Sequence, residues 1–149
     1  MRTKLTPTLI SAWRGLLTIH TKVVSKVESR LAEAGLPTLT WYDVLIVLYE
    51  APDHRLRMAD LAEGVLLSRS GLTRLVDRLE SEGHLRREAC ATDKRGWHVT
   101  LTEKGLALLR TVWPVYGAAL QEEFFSRLAP GDAETLNGIW SRFDGPPGS

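Results

Sequence analysis

From residue 9 to residue 31 apolar side chains recur in steps of three and four: Leu9, Ile10, Trp13, Leu16, Leu17, Val23, Val24, Val27 and Leu31, with His20 in the same register. This spacing predicts an amphipathic helix of about seven turns that stops near Gly35, with Pro37 just beyond. Thr40 is a suitable N-cap for a second helix from Trp41 to Glu50, which Ala51-Pro52-Asp53-His54 ends. A short helix from Arg57 to about Val65 follows. After Leu66-Leu67, Ser68 is placed to cap a further helix from Arg69 to Glu82, closed by Gly83. The rhythm then changes to that of strands, Leu85–Cys90 and Trp97–Leu101, joined through Asp93-Lys94-Arg95-Gly96 as a hairpin tip. Thr102 caps a long helix carrying Leu106, Leu109, Val112, Trp113, Tyr116, Leu120, Phe124 and Leu128, in which Pro114 is expected to kink the helix or crowd it against a neighbour. Pro130-Gly131-Asp132 breaks the pattern, and a last helix carries Leu136, Ile139, Trp140 and Phe143. The fold class expected is mostly α with one small β-hairpin, an α+β chain.

Composition narrows this picture. The chain has 149 residues, 44% hydrophobic and 25% charged, enough for one domain whose core needs neither disulfide nor metal. Lys and Arg number 19 against 18 Asp and Glu, a net charge of +1, which excludes a strongly basic coating protein but not a binder whose cations gather on one face. Six of the first 30 residues are Lys or Arg and one is acidic, read here as a solvated helix face. The single cysteine, Cys90, cannot form an intramolecular disulfide, and no run approaches the ~18 apolar residues of a membrane span. The expected setting is the cytoplasm, with no membrane partner and no cofactor.

The terminal helices carry Trp13, Trp113, Phe124, Phe125, Trp140 and Phe143, more aromatic surface than the small middle block needs. Burial against a second copy of the same helices accounts for it and is the favoured reading; an intramolecular core is the alternative.

The chemistry concentrates in residues 57–83. A short helix, a tight turn and a longer helix form a helix-turn-helix pattern, with Leu61, Val65, Leu67, Leu72 and Leu75 spaced to interlock and Ala62 at the crossing. The second helix opens Ser68-Arg69-Ser70-Gly71-Leu72-Thr73-Arg74, and its exposed side offers Arg69, Ser70, Thr73 and Arg74, donors suited to base edges and phosphates. Gly71 costs about 1 kcal/mol of helix propensity, explained either by close approach of DNA or by packing. Arg69 and Arg74 lie at the N-terminal end and Asp77, Glu80 and Glu82 later, so cationic side chains and the helix dipole point at the same end. The hairpin tip adds Lys94 and Arg95, with Asp93 near enough to orient the guanidinium. Directly after a helix-turn-helix it reads as a wing whose arginine can enter a minor groove.

Residues 57–105 resemble the MarR group of winged-helix transcription regulators. The matching residues are Leu61-Ala62-Glu63, the run Leu67 to Glu80, Gly83, Arg86-Arg87, Asp93-Lys94-Arg95 and Leu101-Thr102-Glu103-Lys104-Gly105. The resemblance implies a winged helix-turn-helix lobe over residues 38–102 and dimerisation helices over 5–35 and 103–144. It implies a homodimeric, ligand-responsive repressor on a palindromic operator. Ser68, Arg69, Ser70, Thr73 and Arg74 would read the major groove of double-stranded DNA, Arg95 would reach the minor groove, and Lys94 would touch phosphate. Leu66 departs from the pattern, standing where many helix-turn-helix motifs have glycine.

Members of this group often respond to a small anionic aromatic effector held between the dimer helices and the DNA-binding lobe. Trp13, His20, Trp41 and Tyr42 are candidates for lining that space, or ordinary core residues. Asp43, Arg74 and Arg86 resemble a charged cluster of the urate-responsive branch, and a structural salt bridge is the favoured alternative. The aromatic partner which that branch takes from an extra N-terminal helix is expected to have no counterpart here. Cys90 reads as a quiet thiol rather than a redox sensor, and His84, Cys90 and His98 lack ligand spacing for a metal. No nucleophile–base pair points to an enzyme. A winged-helix protein-interaction module without specific DNA binding is the competing class, separable by its weaker salt dependence.

Overall fold

A computed structural model describes residues 4–67, 69–92 and 96–144. Helix α1 runs Pro7–Glu33, opened by Thr6, whose hydroxyl accepts from the Leu9 N–H at 3.3 Å, and by proline at its first position. It closes where Gly35 takes a φ of +69° and the Leu36 N–H reaches back to the Leu31 carbonyl at 2.9 Å. Helix α2 spans Leu39–Glu50. It starts two residues earlier than the Thr40 cap predicted, with Thr38 as N-cap. Thr38 makes no side-chain cap bond; instead Glu28 of α1 accepts from the Leu39 N–H at 2.8 Å, so a carboxylate from another helix sets this boundary.

A 3₁₀ turn, Pro52–His54, leads into strand β1, Arg55–Arg57. Helix α3 is Met58–Gly64 and α4 is Leu72–Ser81. Strands β2, Leu85–Ala89, and β3, Trp97–Leu101, follow, then α5, Glu103–Glu123, and α6, Asp132–Trp140. The sheet is antiparallel with order β1-β3-β2. The expected two-stranded hairpin is therefore the outer part of a three-stranded sheet. Three residues, Arg-Leu-Arg, are too few to show a period, and what makes them a strand is the pairing of Leu56 with Val99 across the sheet. Helix α5 continues through Pro114 without interruption.

The core gathers Val27 and Leu31 of α1, Val44, Leu45 and Leu48 of α2, Leu61, Val76 and Leu79 of the middle helices, and Val99 of the sheet. The C-terminal half of α1 packs along α5, and Arg30 pairs with Glu122 there. Large apolar side chains are left on the surface of the N-terminal half of α1, among them Leu9, Trp13 and Leu17 at 48, 59 and 47% exposure. No residue of α6 is buried.

Candidate nucleic-acid interface

Helix α4 is amphipathic. Leu72, Val76 and Leu79 point into the core, and Thr73, Arg74, Asp77 and Arg78 occupy the opposite, exposed face. Leu61 of α3 and Val65 just after it are buried in the same core as this apolar face. Leu67, expected to interlock there, is instead exposed with Leu66 in the turn. The reason lies beneath it. The Asp43 carboxylate on α2 is buried, and accepts from the Leu66 N–H at 2.9 Å and the Leu67 N–H at 2.6 Å. Anchoring the backbone inward turns both leucine side chains outward.

The reading helix starts later than predicted. Its first residue is Leu72, and Gly71 is the N-cap with a φ of +74°. Arg69 and Ser70 therefore stand in the turn before α4, both exposed, while Thr73 and Arg74 lie in its first turn. Gly71 is explained by its backbone: an added Cβ would meet open space, so the left-handed φ, not packing, selects glycine. Among the described residues neither Arg69 nor Arg74 forms an ion pair, so both guanidiniums are available to an anion. Together with Met58, Ala59 and Ala62 of α3 they line an open cleft of about 460 Å³ beside the α4 N-terminus.

The sheet is fixed to this helix by a contact the sequence did not disclose. The Arg87 guanidinium on β2 bonds Glu80 at 3.0 Å and Asp77 at 2.7 Å, both on α4, and the Arg87 N–H also donates to Glu80 at 2.6 Å. Hydrogen bonds from Arg87 hold the Glu80 carboxyl below the usual carboxylate range, and those same bonds raise Arg87. Acids three apart on a helix and an arginine on the following strand were the available signal. The hairpin closes toward its tip with Cys90 N–H donating to the Gly96 carbonyl at 2.9 Å. Ser68, Asp93, Lys94 and Arg95, the predicted cap and tip residues, lie outside the described residues.

At the base of the hairpin, Thr102 caps α5 by accepting from the Gly105 N–H at 3.1 Å and donates to the Gly83 carbonyl at 2.5 Å. Lys104 donates to the Glu82 carbonyl at 2.5 Å. The Leu-Thr-x-x-Gly run is thus the joint between α5 and the turn after α4.

The candidate effector residues are dispersed within one chain. Trp13 and His20 are exposed on α1. Trp41 lies edge-on to His84 at 5.7 Å with the Arg78 guanidinium 5.4 Å above its ring. Tyr42 is buried on another side of α2, 4.5 Å from Tyr116, and burial, then Tyr116 and Glu50, push its hydroxyl up to about 12. Burial first, then the charge of Asp43, raises Tyr116. Arg86 is exposed and pairs with Glu88 at 3.0 Å. Cys90 is buried, its sulfur 3.5 Å from the Thr92 hydroxyl. Among the described residues no three His, Cys, Asp or Glu side chains group as metal ligands, and no helix is long and apolar enough to cross a membrane.

Residues 34–96 match the sequence profile of the MarR family. The chain is 35% identical over 103 residues to the HTH-type transcriptional regulator MhqR of Bacillus subtilis, covering 69% of each protein. It is 32% identical over 121 residues to the transcriptional repressor MprA of Escherichia coli, 81% of this chain and 68% of that one. Its fold superposes on Sco3205, a MarR family transcriptional regulator of Streptomyces coelicolor in complex with DNA, with a TM-score of 0.84 and 31% identity over 99% of this chain and 94% of that one. AbsC, a MarR family regulator of the same organism, gives 0.83 and 34% over 95% of both chains.

Proposed function

The chain belongs to the MarR family of DNA-binding transcriptional regulators, and from that premise we propose that it is a homodimeric repressor acting in the cytoplasm on a palindromic operator. The observation that carries this reading is the pair of guanidiniums, Arg69 and Arg74, without an ion pair among the described residues, at the N-terminal end of an α4 locked to the sheet by Arg87. Ser68, Arg69, Ser70, Thr73 and Arg74 read the major groove. Arg95, oriented by Asp93, enters the minor groove, and Lys94 contacts phosphate. Two half-sites about 10 bp apart, an operator of roughly 16–20 bp, follow from a two-fold dimer. The DNA-bound relative favours this over a protein-interaction module.

The test is a gel-shift titration on the DNA immediately upstream of the protein's own gene. Arg74→Ala and Arg95→Ala are each expected to weaken operator binding by about 1–3 kcal/mol, with Arg74→Ala relaxing base preference. The logarithm of the affinity should fall linearly with log salt. Unchanged affinity in both variants refutes the assignment.

The second copy covers the apolar surface that one chain leaves bare on α1, α6 and Trp113, the last 57% exposed. Ile10→Glu would bury an unpaired charge twice in such an interface, at about 3 kcal/mol each. Sedimentation should show monomer where the unaltered chain is dimeric. A small anionic aromatic effector would bind between the dimer helices and the DNA-binding lobe, with Trp13, His20, Trp41, Tyr42, Asp43 and Arg86 as the residues to probe. Loss of DNA binding in a screen of aromatic acids reads this out.

A further inference from the structure

Trp97 is 51% exposed, yet it belongs to the inward-facing row of the sheet. In the antiparallel register Leu85 pairs with Leu101, Arg87 with Val99 and Ala89 with Trp97, so these three pairs share one face. The first pair is buried, and the second contributes fully buried Val99 together with Arg87, which bonds Glu80 and Asp77 of α4. The third pair lies one step nearer the hairpin tip. Strand β2 runs back along α4, since the His84 N–H bonds the Leu79 carbonyl while Arg87 reaches Asp77. The indole therefore stands exposed on the side of the sheet that faces α4, at the end toward the hairpin tip. Among the described residues no ring or cation stacks on it, although Trp41 and Trp113 both have such partners.

We propose that Trp97 is a DNA-backbone contact, its ring packing on the deoxyribose-phosphate strand that passes between the major groove read by α4 and the minor groove entered by the wing. The proposal rests on the reading of α4 and the wing given above. A ring laid on sugar, with its N–H free to donate to a phosphate oxygen, carries no base information. It adds affinity and fixes the wing's position relative to α4.

The experiment compares the unaltered protein, Trp97→Ala, Trp97→Phe and Arg74→Ala on the upstream duplex and on a scrambled duplex of equal length. Trp97→Ala is expected to bind both duplexes about tenfold more weakly, the factor for re-exposing roughly 55 Å² of apolar surface, with an unchanged melting temperature. Trp97→Phe should recover most of the loss, and Arg74→Ala should weaken the upstream duplex more than the scrambled one. In protein labelled with 5-fluorotryptophan, the resonance missing from Trp97→Phe should shift on adding the upstream duplex. If the unaltered protein binds and Arg74→Ala is impaired while Trp97→Ala binds normally, or the Trp97 resonance does not move, the contact is overturned and the reading of α4 stands. If the unaltered protein binds neither duplex, both fall.

Discussion

Replacing Asp43 by alanine is expected to weaken operator binding about tenfold and to cost about 3 kcal/mol of folding stability. The stability loss follows from the two N–H groups this carboxylate accepts, Leu66 at 2.9 Å and Leu67 at 2.6 Å. Hydrogen bonds to a charged acceptor each contribute roughly 1.5–3 kcal/mol, and the turn recovers part of that from water once the carboxylate is gone. The affinity loss has a separate origin. Those N–H groups tether the turn that carries Arg69 and Ser70, proposed above to read the groove, and freeing even one backbone residue adds about 1–2 kcal/mol of ordering entropy to be lost again on binding DNA. Asp43→Asn should fall between the two, keeping one acceptor oxygen. Gel shifts and thermal melts on the same samples check this. A variant that melts earlier yet binds DNA at full strength would show that the flanking helices alone hold the turn. The Tyr116 hydroxyl, raised partly by the charge of Asp43, should titrate at lower pH in Asp43→Ala, by absorbance.

Gly105→Ala is expected to be the most destabilising single methyl addition in the described chain. A Cβ at this position would overlap the backbone carbonyl of His84 and press on Leu101. The carbonyl cannot swing away, because it accepts from the Thr102 N–H at 3.2 Å and belongs to the turn that Thr102 and Lys104 tie to α5. Overpacking against fixed backbone costs about 3 kcal/mol or more. For a chain of this size that corresponds to a fall in melting temperature of roughly 6–12 °C. Gly15→Ala is the control, since a Cβ there meets nothing within 4 Å. Equal melting temperatures for the two variants would mean that α5 shifts freely against the turn after α4.

Much of the fold was legible because its signals are local. The three-and-four spacing on α1 and α5, the Thr102 cap and the Pro-Gly break before α6 depend on neighbours in the chain, and the structure places them as read except at the end of α5, which stops at Glu123 and leaves Phe124 and Leu128, read as part of that helix, beyond it. The exposed face of α4 was legible for the same reason: Leu72 and Leu75 were read as its inner side, which leaves Thr73 and Arg74 outside, and the structure completes that inner side with Val76 and Leu79. The starts of α2 and α4 were misjudged where the deciding partner is distant in sequence or conformational. Glu28 replaces a side-chain cap on α2, and the left-handed Gly71 moves the first turn of α4 to Leu72. A glycine within helical spacing looks the same in sequence whether it interrupts a helix or begins one.

Taken alone, the sequence determined the helical periodicities, the helix-turn-helix and hairpin order and the polar side chains on the exposed side of α4, since each depends on residues within a few turns of one another. Tertiary structure decided what joins them: the third strand paired through Leu56, the Asp43 clamp that turns Leu66 and Leu67 outward, the Arg87 lock between β2 and α4, and the exposed Trp97 on the α4-facing side of the sheet. Such contacts bring together groups far apart along the chain, and a buried carboxylate or a strand arginine acquires its partner only when the core closes around it.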